Sequence, residues 1–217
     1  MNPAPSPATT DPQEMAYARV LAAESAARPK GERTRARLLI AACTVLDAEG
    51  PQGLSIAAIA RAAGLAKGTA YIYFPDLAAL LTELLTGFAR FVRSCMHQAG
   101  RDDPIRDATR AYIALFRENR GLMRCLVHHL DGFPEAQAAF QRLNRDWLET
   151  VVAATERKRH GVPHDELMRR AYALGGMVDQ YLSSLYLSRD PALVALSRDE
   201  AAVLDTLSLI WKRGMTA

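Results

Sequence analysis

Residues 55–75 read SIAAIARAAGLAKGTAYIYFP, and the fold turns on this stretch. Apolar side chains recur at three and four positions (Ile56, Ile59, Ala60, Ala63), which is one face of a short helix. Ser55 stands just before it, where a hydroxyl can accept a bond from an orphan amide of the first turn. Gly64 permits the left-handed backbone of a tight turn. A second short helix then starts near Lys67 and is cut at Phe74-Pro75, because proline cannot extend the hydrogen-bond ladder and disfavours helix in the residue before it. Ala60 is small enough for a crossing helix, and Leu65 plugs the angle between the two. Two helices joined this way form a helix-turn-helix, the arrangement that sets its second helix in the DNA major groove, although generic helical hairpins share the spacing.

The residues opening the second helix add to that reading. Lys67 sits at a helix amino terminus, where the macrodipole makes a cation locally unfavourable, and broken local rules tend to mark functional positions. Gly68 would let the backbone approach DNA, and Thr69 offers a hydroxyl and a methyl to a base edge. Tyr71 and Tyr73 are two apart, about 200° round the helix, so one is expected to pack and the other to reach a phosphate.

Outward from this motif the chain of 217 residues reads as helical throughout, so an all-α fold is expected. A first core helix spans 32–49, with Leu38 or Leu39, Ala42, Val45 and Leu46 on its apolar stripe and Gly50-Pro51 as its stop. A long helix follows Asp76, and five more are expected near 105–118, 121–130, 135–160, 165–188 and 198–212, divided by Gly/Pro breakers such as Asp131-Gly132-Phe133-Pro134 and Asp190-Pro191. Four of the 11 prolines fall within residues 1–12, so a disordered arm is expected there, with a short alanine-rich helix permitted from Glu14 to Ala27. The expected division is a flexible arm (1–31), a DNA-binding domain (32–78) and a helical ligand-binding and dimerisation domain (79–217).

Net charge is only +3, but residues 28–75 carry seven basic side chains (Arg28, Lys30, Arg33, Arg35, Arg37, Arg61, Lys67) against three acids, a local excess of +4. Such a segment is the footprint of a docking polyanion, or a solvated helix end. No apolar run approaches the roughly 20 residues of a membrane span and no secretory leader is visible, so a cytoplasmic protein without a membrane partner is expected. Three cysteines without a pairing motif (Cys43, Cys95, Cys125) read as reduced, mostly buried thiols.

The stretch from Thr34 to Leu84, about a quarter of the chain, resembles the DNA-binding domain of the tetracycline-repressor-like (TetR/AcrR) family of bacterial transcription regulators. The resemblance rests on Thr34-Arg35, Ala41-Ala42, Leu46, Glu49-Gly50, Leu54-Ser55-Ile56, Ile59-Ala60, Ala63-Gly64-Leu65, Lys67-Gly68-Thr69, Tyr71 and Phe74. It implies that Lys67, Thr69 and Tyr73 face DNA, while Thr34, Ser55 and Tyr71 contact phosphates or brace the motif. Two positions depart from the family pattern. Ala66 replaces a frequent capping serine, giving up about 0.5–2 kcal/mol, and Leu77 replaces a frequent lysine. Arg28, Lys30 and Arg33 offer compensation as a basic arm in the minor groove, or belong to an ordinary tail.

The resemblance further implies a homodimer, an operator DNA partner and a small-molecule effector, with repression as the mode. Helices near Asp165 and Arg198 are apolar on more than one face, and Leu174, Gly175, Val178, Leu182, Leu207, Ile210 and Trp211 are the expected dimer contacts; a purely internal crossing is the alternative. A largely apolar pocket is expected from Phe88, Phe91, Tyr112, Phe116, Met123, Leu126, Phe140, Trp147, Met177 and Tyr181, each of which could equally be core. Asp179 and Gln180 interrupt an apolar helix and need partners if buried. Asp179 would then favour a cationic ligand or a salt bridge across the dimer. Cys125, His128 and His129 share a helical face, but three ligands are a fragment of a site, so no metal is expected, nor any cofactor. No nucleophilic triad, paired carboxylates or phosphate-binding glycine loop supports an enzyme. The competing class is a helical small-molecule binder or enzyme without a DNA role.

Overall fold

The computed structural model describes residues 14–99, 103–128, 131–157 and 161–216. Their regular structure is helical, in agreement with the all-α reading. The helices are α1 (Tyr17–Ser25), α2 (Lys30–Glu49), α3 (Ile56–Ala62), α4 (Lys67–Tyr73), α5 (Leu77–Gln98), α6 (Pro104–Glu118), α7 (Arg120–His128), α8 (Pro134–Glu156), α9 (His164–Leu182), α10 (Pro191–Leu196) and α11 (Glu200–Thr216).

The start and stop signals act as the local chemistry requires. Ser55 Oγ accepts from the Ala58 amide at 3.0 Å and Asp76 Oδ1 from the Ala79 amide at 2.7 Å, opening α3 and α5. Gly50 and Gly64 take φ of 72° and 64°, a region L side chains rarely enter, and so end α2 and turn the motif. The α2 stripe of Leu38, Leu39, Ala42, Val45 and Leu46 is buried. From it one contiguous core runs through Phe74, Leu84, Phe88 and Phe116 to Leu182 and Trp211, so the motif and the rest of the chain share an interior.

Three expectations need correction. The flexible arm expected over 1–31 falls partly outside the described residues; the short helix allowed from Glu14 to Ala27 is present as α1 from Tyr17 to Ser25, and it is tied down rather than flexible. Tyr17 is buried with its ring 5.5 Å from Phe88 and 5.2 Å from Phe91, and Asn119 accepts from the Tyr17 amide at 2.8 Å. Gly87 leaves room for the Tyr17 hydroxyl; a Cβ there would stand 2.4 Å from it. One aromatic side chain with a prepared socket outweighs an alanine-rich sequence. Second, Asp190-Pro191 starts a helix as well as ending one: Asp190 accepts from the amides of Ala192 and Leu193, and proline suits the first helical position. Third, α9 ends at Leu182 and continues to Ser188 in a wider winding, closing on Arg189 at φ 55°.

Candidate functional site

Helix α4 presents its first turn to solvent. Lys67 and Gly68 are exposed, and nothing lies within 4 Å of where a Gly68 side chain would begin. No side chain caps this helix, so the amides of Lys67 and Gly68 keep no intrahelical acceptor. Tyr71 is 47% exposed, and the Lys67 ammonium lies 5.8 Å from its ring centroid. Thr69 and Tyr73 are half-buried. Of the two tyrosines, Tyr71 is thus the open one and Tyr73 the packed one, its hydroxyl lying against Gly31 at the start of α2. Thr34, on the same end of α2, donates to the Lys30 carbonyl at 3.0 Å, and Ser55 is engaged as the α3 cap. The seven residues expected at a DNA interface therefore lie on α4, the start of α2 and the cap of α3.

Two arginines fix α4 from behind, in roles the sequence reading left unassigned. Arg35 donates to the Tyr73 carbonyl at 2.9 Å, lies 4.3 Å over the Phe74 ring and pairs with Glu83 on α5. Arg37 donates to the Ala63 carbonyl at 2.7 Å, across the Gly64 turn. Charge-assisted bonds to backbone carbonyls hold a turn that has little packing of its own. Their sequence signal was a basic residue every second position of α2, which also reads as solvated charge.

Helix α5 leaves α4 at 60° and carries the structure to a cavity of about 70 Å³. Val92 and Met96 of α5, Tyr112 of α6, Phe140 and Trp147 of α8, Asp179 of α9 and Trp211 of α11 are among its walls. Tyr112, Phe140, Trp147 and Asp179 of the expected pocket residues are thus among the lining of this cavity. Phe88, Phe116, Met123 and Leu126 are instead solid core, each no more than 1% exposed, and Phe91 packs on Tyr17. Met177 is partly buried outside the cavity wall, and Tyr181 bonds Ser197 at 2.8 Å. Side-chain size pointed to these seven, but cavities form where packing stops, not where residues are large.

The carboxylate in this wall is unusual. Asp179 Oδ1 accepts from the Tyr112 hydroxyl at 2.7 Å, within the same chain. Burial pushes the Asp179 carboxyl up to about 6, against the lowering effect of that hydroxyl; Tyr112 is itself raised by burial and by the carboxylate. Trp211, in the same wall, has a buried indole N–H with no acceptor among the described residues.

The expected dimer contacts divide. Val178, Leu182, Leu207 and Trp211 are interior to the chain, Gly175 lines the cavity, and Leu174 is half-buried against Gly214. Ile210 is 40% exposed. Tyr172 and Gly176 on α9 and Leu209 and Ile210 on α11 are exposed. Cys125 is buried with Cys43 and Cys95, and burial pushes these thiols up to about 11, 12 and 11 in that order. His128 Nε2 is 3.2 Å from the Ser183 hydroxyl, and His129 lies outside the described residues. Among the described residues no single helix is long and apolar enough to cross a membrane.

The family described as bacterial regulatory proteins, tetR family, matches residues 38–84, which contain α3, α4 and the start of α5. Over 199 residues the chain is 25% identical to the HTH-type transcriptional regulator EthR of Mycolicibacterium smegmatis, covering 85% of this chain and 87% of that one. Similar solved structures include Salmonella enterica GusR (17% identity, TM-score 0.65, 88% of this chain and 99% of that one). Another is NalD of Pseudomonas aeruginosa (23% identity, TM-score 0.61, 86% and 97%). Residues 38–84 are therefore a DNA-binding segment of the kind found in bacterial regulatory proteins of the tetR family, and the chain as a whole shares the helical fold of these structures.

Proposed function

We propose that this protein is a ligand-responsive repressor that binds a palindromic operator as a homodimer and leaves it when a small, largely apolar effector occupies the cavity. Residues 32–78 act as the DNA-binding domain and 79–217 as the effector and dimer domain, in the cytoplasm, without catalysis. The observation that carries this reading is helix α5. Its first turns are bonded to the DNA-binding motif through Arg35 and Glu83, and its last turns, at Val92 and Met96, are cavity wall. A ligand that fits only one setting of α5 then fits only one spacing of the two α4 helices, and it shifts the population by its differential affinity for the two settings. NalD, one of the similar folds, is described as the secondary repressor of a multidrug efflux pump, which supports repression here.

On DNA, Lys67 and Thr69 face the bases with Gly68 allowing close approach, the open Tyr71 reaches a phosphate, and Thr34, Ser55 and the packed Tyr73 serve phosphates or the motif's rigidity. Two such helices about 34 Å apart meet successive major grooves. The dimer forms on the exposed Tyr172, Gly176, Leu209 and Ile210 face, where a glycine flanked by apolar side chains allows close helix approach.

Fluorescence anisotropy on DNA flanking the protein's own gene tests this. Specific binding should weaken with salt at a log–log slope of about −0.9 per neutralised phosphate. Lys67→Ala should flatten that slope by about one phosphate's worth or relax sequence preference, with helicity and dimerisation unchanged. Binding that is sequence-independent in the wild type, or untouched in both Lys67→Ala and Thr69→Ala, would sink the reading.

A further inference from the structure

We propose that the cavity is built for an organic cation, an apolar amine or ammonium compound whose positive charge pairs with Asp179 between aromatic walls. This rests on the effector reading of the cavity and names the class of effector.

The walls are apolar except at a few points, and among the described lining residues Asp179 is the buried ionisable group that no opposite charge pairs. Arg93, at the rim on α5, lies 3.1 Å from Asp146 of α8, so its charge is spent outside the cavity. His97, exposed on α5, stands edge-on to Trp147 with ring centroids 6.4 Å apart. Tyr112 of α6 gives its only proton to Asp179. From α8 the cavity receives Asn144, which is neutral, and from α11 Trp211. Asp179 of α9 is therefore a carboxylate facing the cavity with one neutral donor and no cation among the described residues that bonds it.

A buried anion so poorly compensated is expensive to keep, and proteins retain such groups where a partner arrives from outside. A ligand carboxylate would repel it. A neutral ligand would leave it as uncompensated as before. An ammonium group supplies the missing charge inside a low-dielectric wall, and Tyr112, Trp147, Phe140 and Trp211 in the lining supply rings of the kind that attract cations.

Three probes of one size separate the possibilities: 4-phenylbutylamine, protonated at neutral pH, 4-phenylbutanol and 4-phenylbutyrate. Both tryptophans of the chain, Trp147 and Trp211, line the cavity, so intrinsic fluorescence reports occupancy directly. The amine should bind about tenfold or more tighter than the alcohol, and the acid weakest. Asp179→Asn, which preserves shape and the Tyr112 bond, should erase the amine's advantage while leaving alcohol binding unchanged; circular dichroism checks its fold. An alcohol that binds as well as the amine, an amine advantage that survives Asp179→Asn, or no amine response at millimolar concentration overturns the proposal. Release of operator DNA is read separately by anisotropy. Charge-selective binding that leaves DNA bound would uphold the cation site and remove the effector role.

Discussion

Asp179→Asn should make this protein more stable at neutral pH, an unusual direction for a substitution inside a folded chain. The carboxyl has an ordinary value of 3.8 and is raised to about 6 by burial. The folded state therefore holds the proton more tightly than the unfolded one, and ionising the group opposes folding. About two units at 1.36 kcal/mol each give about 3 kcal/mol of destabilisation above pH 6. The sign follows directly. Below 3.8 the carboxyl is protonated in both states and carries no penalty; the penalty grows between 3.8 and 6 and is complete by pH 7.

Asparagine is neutral at every pH and can still accept from the Tyr112 hydroxyl. Wild type and variant should thus have nearly equal stability near pH 4, and the variant should lead by about 3 kcal/mol at pH 7, or roughly 5–10 °C in melting temperature for a chain of this size. Asp103 and Glu166, held below the usual carboxylate range by Lys212 and by Arg170 and Arg169, lose their small contributions as pH falls. They do so equally in both proteins and cancel in the difference. The measurement is paired urea or thermal unfolding from pH 4 to 7.5 at one fixed protein concentration, because stability depends on concentration wherever chains associate. A variant no more stable at pH 7, or one whose advantage is the same at pH 4, would refute the assignment of an uncompensated buried charge.

Two further outcomes are expected. Asn119→Ala removes a side chain that accepts from the Tyr17 amide and donates to the Met15 carbonyl at 2.7 Å, so it should cost about 1–3 kcal/mol and expose α1 to amide exchange first; unchanged exchange in residues 15–25 would show that the Tyr17 socket alone docks the helix. Ile210→Glu should weaken the dimer by about a hundredfold or more in sedimentation velocity, with helicity retained, because it places an unpaired charge in the proposed interface; an intact dimer would move the interface away from the α9–α11 face.

The helix-turn-helix was legible because its signals are local. Ser55 caps, Gly64 turns and Pro75 stops within the few residues that each controls, and no distant contact is needed to read them. Helix α1 was harder, since its docking depends on Phe88, Phe91, Gly87 and Asn119, which come together only through tertiary packing.

The dimer and cavity assignments show where periodicity runs out. On a helix apolar on two faces, spacing says that both faces want cover but not which one the chain covers itself. On α11, Leu207 and Trp211 turned inward while Leu209 and Ile210, equally apolar, stayed out. On α9, Val178 and Leu182 went in, and Tyr172 and Gly176 out. What breaks that symmetry is polarity. Asp179 adjoins Val178 and sits three before Leu182, beside the stripe that packs, so a charge there must either stay half-wet or line a space. The large residues Phe88, Phe116 and Met123 carried no such signal, because a well-packed aromatic and a cavity wall have the same sequence. A single charge set against an inward-facing stripe is therefore a sharper pointer to an unfilled space than aromatic side chains are, since packing alone satisfies a ring's carbon surface but not a charge.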